Sequence, residues 1–187
     1  MSKLTLPSLS GIGNIVLLMV INLVLTLAFL DQLINHDLPC PLCILQRMGF
    51  TLIGLMFLLN IRSGAHPAHY GFAILFAILG LSVSLRQVLL HVAPDDLGYG
   101  DTFFRLHFYT WAFVGFVSLL IGIATLLIIP DRGTRSRHWF AQFICLWFIL
   151  LLLGNVISTL SICGLGACAD NPLHYDGIEQ LRQWLAK

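Results

Sequence analysis

The chain has 187 residues, 58% of them hydrophobic and only 10% charged, with a formal net charge of +1. Soluble domains carry about 25% charged residues, so the composition excludes an ordinary water-soluble domain. The few arginines are scattered and form no basic face, which leaves no nucleic-acid signature.

Five apolar segments follow in chain order, at about 12–34, 44–61, 70–92, 109–129 and 139–160. Each is near the ~20 residues that cross a hydrocarbon core as a helix. The first runs straight through Thr26-Leu27-Ala28, a passable cleavage site, and reads as a retained span rather than a removed signal. The connections 35–43, 62–69, 93–108 and 130–138 are short and punctuated by Pro, Gly, Asp and Asn. The predicted fold is an all-α integral membrane protein: one membrane domain over 1–187, with five spans and an outer tail, 161–187.

Lys and Arg in the connections predict the orientation. Lys3, Arg62, Arg132, Arg135 and Arg137 share one side; Arg105, Arg182 and Lys187 share the other. The richer side is predicted to be cytoplasmic. Segments 35–43, 93–108 and the tail then face outward.

The cysteines sort by this topology. Cys40 and Cys43 form a C-x-x-C at the outer edge, where one span ends and the next begins. Cys163 and Cys168 follow the fifth span. Four spans separate the pairs, so both face the same, oxidising side. Two dithiols on one face allow a relay, in which one exchanges with a protein and the other with an electron acceptor. Three plainer uses compete: a four-thiolate zinc site, inert structural disulfides, and, for Cys145 within the fifth span, a small buried hydrophobe.

The start of the second span suits a reactive thiol. Pro41 fits the first turn of a helix. Cys43 then lies near unpaired backbone N–H groups that stabilise a thiolate. Arg47, four residues on, shares its helical face. Arg86 lies well inside the third span, where an arginine usually faces a cavity or partner. Arg86, Gln87 and His91 are predicted to form a polar patch beneath the outer surface. In the tail, Asp176-Gly177-Ile178-Glu179 reads as a capping-box-like helix start. Ile178, Leu181, Trp184 and Leu185 then make one apolar stripe, as on a helix lying on membrane lipid.

Cys40-Pro-Leu-Cys43-Ile44-x-x-Arg47 resembles the C-x-x-C-I-x-x-R signature of the DsbB-type disulfide-bond-formation proteins, and Arg86-Gln87-Val88-x-x-His91-x-x-Pro94 resembles the end of that family's third span. The likeness covers about residues 10–130. It implies a four-helix membrane bundle in the bacterial inner membrane with ubiquinone or menaquinone near the C-x-x-C. It also implies a thiol oxidase that reoxidises a periplasmic thioredoxin-like dithiol oxidase resembling DsbA. By this resemblance Cys40 and Cys43 are the quinone-coupled pair, Arg47 supports the quinone, and Arg86 and His91 are further cofactor contacts. The chain departs from the family in its second pair. The loop 93–108 has no cysteine; Cys163 and Cys168 follow an added fifth span instead. They are the predicted catalytic contact with the protein partner. Two other classes compete: a haem protein using His91 and His107, and a non-catalytic membrane subunit with structural disulfides.

Overall fold

The apolar runs form five long helices: α1 (Leu9–Ile34), α2 (Pro41–Ser63), α3 (Pro67–Leu90), α4 (Phe108–Ile128) and α5 (Trp139–Cys163). A short hairpin of β1 (Thr102–Phe103) and β2 (Leu106–His107) precedes α4, and α6 (Asp176–Leu185) ends the fold. All five long helices are long and apolar enough to cross a membrane. The computed structural model describes residues 9–35, 38–93, 98–100, 102–129, 138–170 and 172–186. Lys3, Arg132, Arg135, Arg137 and Lys187, on which the orientation argument largely rests, lie outside them, as does Pro94.

The starts of α2 and α3 follow from their sequence. Pro41 and Pro67 open the helices, where a missing N–H costs no hydrogen bond. Gly64 and Gly164, with φ of 98° and 62°, terminate α2 and α5, each N–H bonding back to the carbonyl four residues earlier.

The core lies among all five helices. Phe57, Phe116 and Phe148 are fully buried within it. Phe116 packs over Gly80 and Phe148 over Gly54, positions where any Cβ would strike the ring. Such small residues let helix backbones approach closely in a membrane. Outward faces remain apolar, with Leu23, Leu75 and Ile128 exposed to the surroundings.

Buried polar side chains add specificity to this packing, because lipid offers no hydrophobic drive for helix association. At one end of the bundle, Asn60 Nδ2 donates to Asn14 Oδ1 at 2.9 Å, and Asn14 Nδ2 donates to the Tyr70 hydroxyl at 2.6 Å. A second seam ties α5 to α1. Asn22 Nδ2 donates to the Ile144 carbonyl (3.0 Å), Trp147 Nε1 to Thr26 Oγ1 (3.2 Å) and Gln32 Nε2 to Ser158 Oγ (3.0 Å).

Several local expectations change. α2 starts at Pro41 with Cys43 in its first turn, as expected, although the apolar run itself begins only at 44; α3 stops at Leu90 with His91 as its cap. α5 continues through Cys163, because nothing interrupts the helix before Gly164. The tail helix has Tyr175 at its N-cap with no side-chain capping bond, so the anticipated capping box does not form; Asp176 and Glu179 lie in its first turn. The hairpin was not foreseen: its two turn residues, Phe104 and Arg105, adopt φ of 48° and 65°, values that usually select Gly or Asn.

Candidate functional site

Cys40 caps α2 from extended backbone, and its Sγ accepts from the Cys43 N–H at 3.1 Å. The two cysteines form a disulfide with Cα atoms 5.0 Å apart. Cys43 lies in the first helical turn, among backbone N–H groups that favour negative charge. From α3, Gln87 directs its Nε2 at both sulfurs, 3.4 Å from Cys40 Sγ and 3.6 Å from Cys43 Sγ. Gln46 Nε2 donates to Gln87 Oε1 at 2.8 Å, which fixes the amide with its N–H groups toward sulfur. Both glutamines are buried.

Arg47 lies one helical turn beyond Cys43. Its Nη1 donates to Gln32 Oε1 (2.7 Å) and its Nη2 to the Ala28 carbonyl (2.8 Å), while the guanidinium carbon lies 5.6 Å from the centroid of the Phe29 ring. These anchors on α1 hold a cation beside the disulfide. A cavity of about 410 Å³ opens alongside. Cys43, Gln46, Arg47 and the carboxylate Asp31 form its polar wall, and the rest is mostly apolar side chains of α1 and α4. Tyr99, whose hydroxyl donates to the Leu38 carbonyl at 2.7 Å, and Phe103 close it over the cysteine end.

The second pair reaches the same end of the bundle. Cys163 and Cys168 form a disulfide with Cα atoms 4.6 Å apart. Cys163, Ile162 and Leu38 make a small buried cluster with Ile44 and Cys168 packed against it. Leu38 and Ile44 flank the first pair in sequence, so this cluster joins the two disulfides. Beyond Cys168, α6 returns to α5 at a close crossing where Gly177 meets Gly164 and the Leu160 carbonyl, leaving no space for a Cβ.

The other predicted residues are placed differently. Gln87, not Arg86, points inward. Arg86 is exposed on α3 and does not line the cavity, because one residue along a helix turns the side chain about 100° away. His91 is half-buried and packs on the Tyr109 ring, 5.5 Å between centroids, also outside the cavity lining. His107 stacks on the same ring at 5.1 Å, so the two histidines flank a tyrosine instead of facing each other across a haem-sized gap. Cys40, Cys43, Cys163 and Cys168 are paired as disulfides, and no cluster of three or more metal-ligating side chains occurs among the described residues. Cys145 is unpaired and buried in the core. Gln46 and Gln32 escaped the sequence reading, since a lone glutamine carries no signal until its helical face is known. The apolar side chains Ile178, Leu181, Trp184 and Leu185 of α6 are all exposed.

Comparison with known proteins agrees with this geometry. The family model for the disulfide bond formation protein DsbB matches residues 12–100, which contain all but the first residues of α1, the whole of α2 and α3, and the first cysteine pair. Disulfide bond formation protein B of Nitrosomonas eutropha is 41% identical over 73 residues, 37% of this chain and 45% of that protein. The Xanthomonas campestris protein of the same name is 38% identical over 64 residues, 32% of this chain and 37% of that protein. For the Chromobacterium violaceum protein the identity is 34% over 128 residues, 61% of this chain and 75% of that protein. The chain thus spans less than half the length of the first two relatives and three quarters of the third. No solved structure matches it. The likeness to the Chromobacterium protein over most of that protein's length, together with the match across the C-x-x-C helix, shows that this chain belongs to the disulfide bond formation protein B family.

Proposed function

We propose that the protein is a bacterial inner-membrane thiol oxidase. It takes electrons from the reduced cysteines of a periplasmic thioredoxin-like dithiol oxidase, resembling DsbA, and passes them to a membrane quinone. The observation that carries this reading is the cavity with Cys43, Arg47, Gln46 and Asp31 at its polar wall and mostly apolar side chains elsewhere. Its volume falls within the range of small-molecule sites. A lipid-soluble quinone, ubiquinone or menaquinone, suits such a space, with a ring against the polar wall and an apolar tail along α1 and α4. Bound there, it supplies the two-electron acceptor that restores the Cys40–Cys43 disulfide. Arg47, Gln46 and Cys43 would hold its ring end.

The chain's own steps are thiol–disulfide exchanges. A partner thiolate attacks one sulfur of Cys163–Cys168 and forms a mixed disulfide, releasing the other sulfur as a thiolate. The partner's second thiolate resolves that bond, leaving the partner oxidised and Cys163 and Cys168 reduced. The reduced pair then attacks Cys40–Cys43 in the same manner, across the cluster formed by Leu38, Ile44 and Cys163. Two electrons and two protons have then moved from the partner to the first pair. Gln87 and the α2 N-terminus stabilise the negative sulfur that forms when the first pair is opened.

A second reading treats Cys163–Cys168 as a structural clip. Burial of Cys163 at the last position of α5 favours it. The partner would then attack Cys40–Cys43 directly.

The test is quinone reduction by the purified protein, followed optically with a panel of reduced thioredoxin-like proteins as donors. Reduction with at least one donor is expected; none with any donor refutes the assignment. For orientation, an alkaline phosphatase fused after Lys187 should be active, whereas fluorescence of green fluorescent protein fused there would place the cysteine end in the cytoplasm.

A further inference from the structure

Arg47 is held by Gln32, and Gln32 is held by α5. The Gln32 Oε1 atom accepts from Arg47 Nη1 at 2.7 Å, and Ser158 Oγ lies 3.2 Å from that oxygen and 3.0 Å from Gln32 Nε2. Gln32 is buried, 5% exposed. A guanidinium only donates hydrogen bonds, so the amide must present oxygen to Arg47. Its NH₂ group is then turned toward α5, where it needs an acceptor, because a buried donor left unpaired is costly. Ser158 Oγ is that acceptor. Its own O–H donates to Oε1 at 3.2 Å, so loss of the hydroxyl removes both the acceptor of the NH₂ group and a second anchor on the oxygen that holds Arg47.

We propose that Ser158 is a positioning residue for the quinone site: through Gln32 it holds Arg47 in the orientation that faces the cavity, and so makes the fifth helix part of that site. The inference rests on the reading of the cavity as a quinone site. It extends that site beyond the segment shared with the family model, which ends at residue 100. Two of the guanidinium's five donors are taken by Gln32 and Ala28. Fixing these two directs the remaining edge of the fork, and Arg47 lines the cavity. The same helix ends at Cys163, so α5 would touch both half-reactions, one through Ser158 and one through its terminal disulfide.

The experiment measures decylubiquinone two ways: as the Michaelis constant in turnover, and as the dissociation constant on fully oxidised protein by calorimetry, where no electrons move. Ser158→Ala should weaken both by about three- to tenfold, the loss of one neutral hydrogen bond, with turnover at saturating quinone retained. Ser158→Thr, which keeps the hydroxyl, should restore both. In an Arg47→Ala background, Ser158→Ala should add nothing. Gln32→Glu offers oxygen to Arg47 in either rotamer, so in that background affinity should no longer depend on Ser158. If Arg47→Ala weakens quinone binding while Ser158→Ala leaves it unchanged, or acts additively, the positioning role is overturned and the quinone site stands. A persistent loss from Ser158→Ala in the Gln32→Glu background also overturns it. If Arg47→Ala itself changes neither constant, the Arg47-lined cavity is not the quinone site, and both readings fall.

Discussion

The two disulfides sit at opposite ends of helices. Cys40–Cys43 closes the N-terminus of α2, and Cys163–Cys168 closes the C-terminus of α5. The first meets the Cys43 N–H at the positive end of α2, an amide donor from Gln87 and the nearby Arg47. The second meets helix carbonyls and an apolar cluster, with no hydrogen bond to its sulfurs among the described residues. One environment stabilises a thiolate and the other does not. A pair whose reduced form is stabilised is the stronger oxidant. Under the proposed relay, electrons therefore run downhill from the tail pair to the first, and the helix ends set that direction.

The largest effects should come from breaking the pairs separately. Cys40→Ser should drop quinone reduction to background yet leave the tail pair able to meet its partner. Cys163→Ser or Cys168→Ser should accumulate a mixed disulfide with a thioredoxin-like protein, visible as a covalent complex on non-reducing gels. The double variant Cys163→Ser/Cys168→Ser sharpens the contrast. A relay loses turnover at least about tenfold, whereas near-normal turnover, with trapping only in Cys43→Ser, makes the tail pair a clip.

Smaller effects separate the two environments. Arg47→Ala should raise the quinone Michaelis constant about tenfold to hundredfold, since a hydrogen bond to a charged group contributes about 1.5–3 kcal/mol. Gln87→Leu should move the first pair's equilibrium in glutathione buffers about fivefold toward the disulfide, because its N–H groups bind a thiolate more strongly than a disulfide sulfur. The tail pair should not move; an equal shift in both would dissolve the comparison. Least affected should be Gly177→Ala. Its Cβ would push α6 off Gly164 and the Leu160 carbonyl, speeding proteolysis of the tail with turnover nearly unchanged.

The spans were legible because twenty-residue apolar runs have few other uses. The first pair was legible because Pro41, Cys43 and Arg47 are all local to one helix start. What lay hidden depends on rotation about helix axes and on partners distant in sequence. Arg86 drew notice as a charge in an apolar run, yet the inward-facing neighbour is the uncharged Gln87. Gln32 and Ser158 lie 126 positions apart and join only when α5 packs on α1. The hairpin stayed hidden for a simpler reason: Phe104-Arg105 is poor turn chemistry, held by the Trp111 indole N–H bonding to the Phe103 carbonyl at 2.9 Å.

The polar seam between α1 and α5 also bears on the order of biogenesis. Asn22 and Gln32 enter the bilayer with the first helix, whereas Ile144 and Ser158 emerge more than a hundred residues later. In a nascent chain with four helices inserted, the Gln32 oxygen can already meet Arg47 of α2, but the Asn22 and Gln32 NH₂ groups lack the acceptors that α5 brings, at the cost of unsatisfied polar groups. Arrival of α5 supplies acceptors for both NH₂ groups, although Asn22 Oδ1 stays buried without a partner, so its docking commits the whole bundle. Truncation before Trp139 should therefore yield not a compact four-helix relative but a stalled intermediate, marked for the membrane's quality-control proteases.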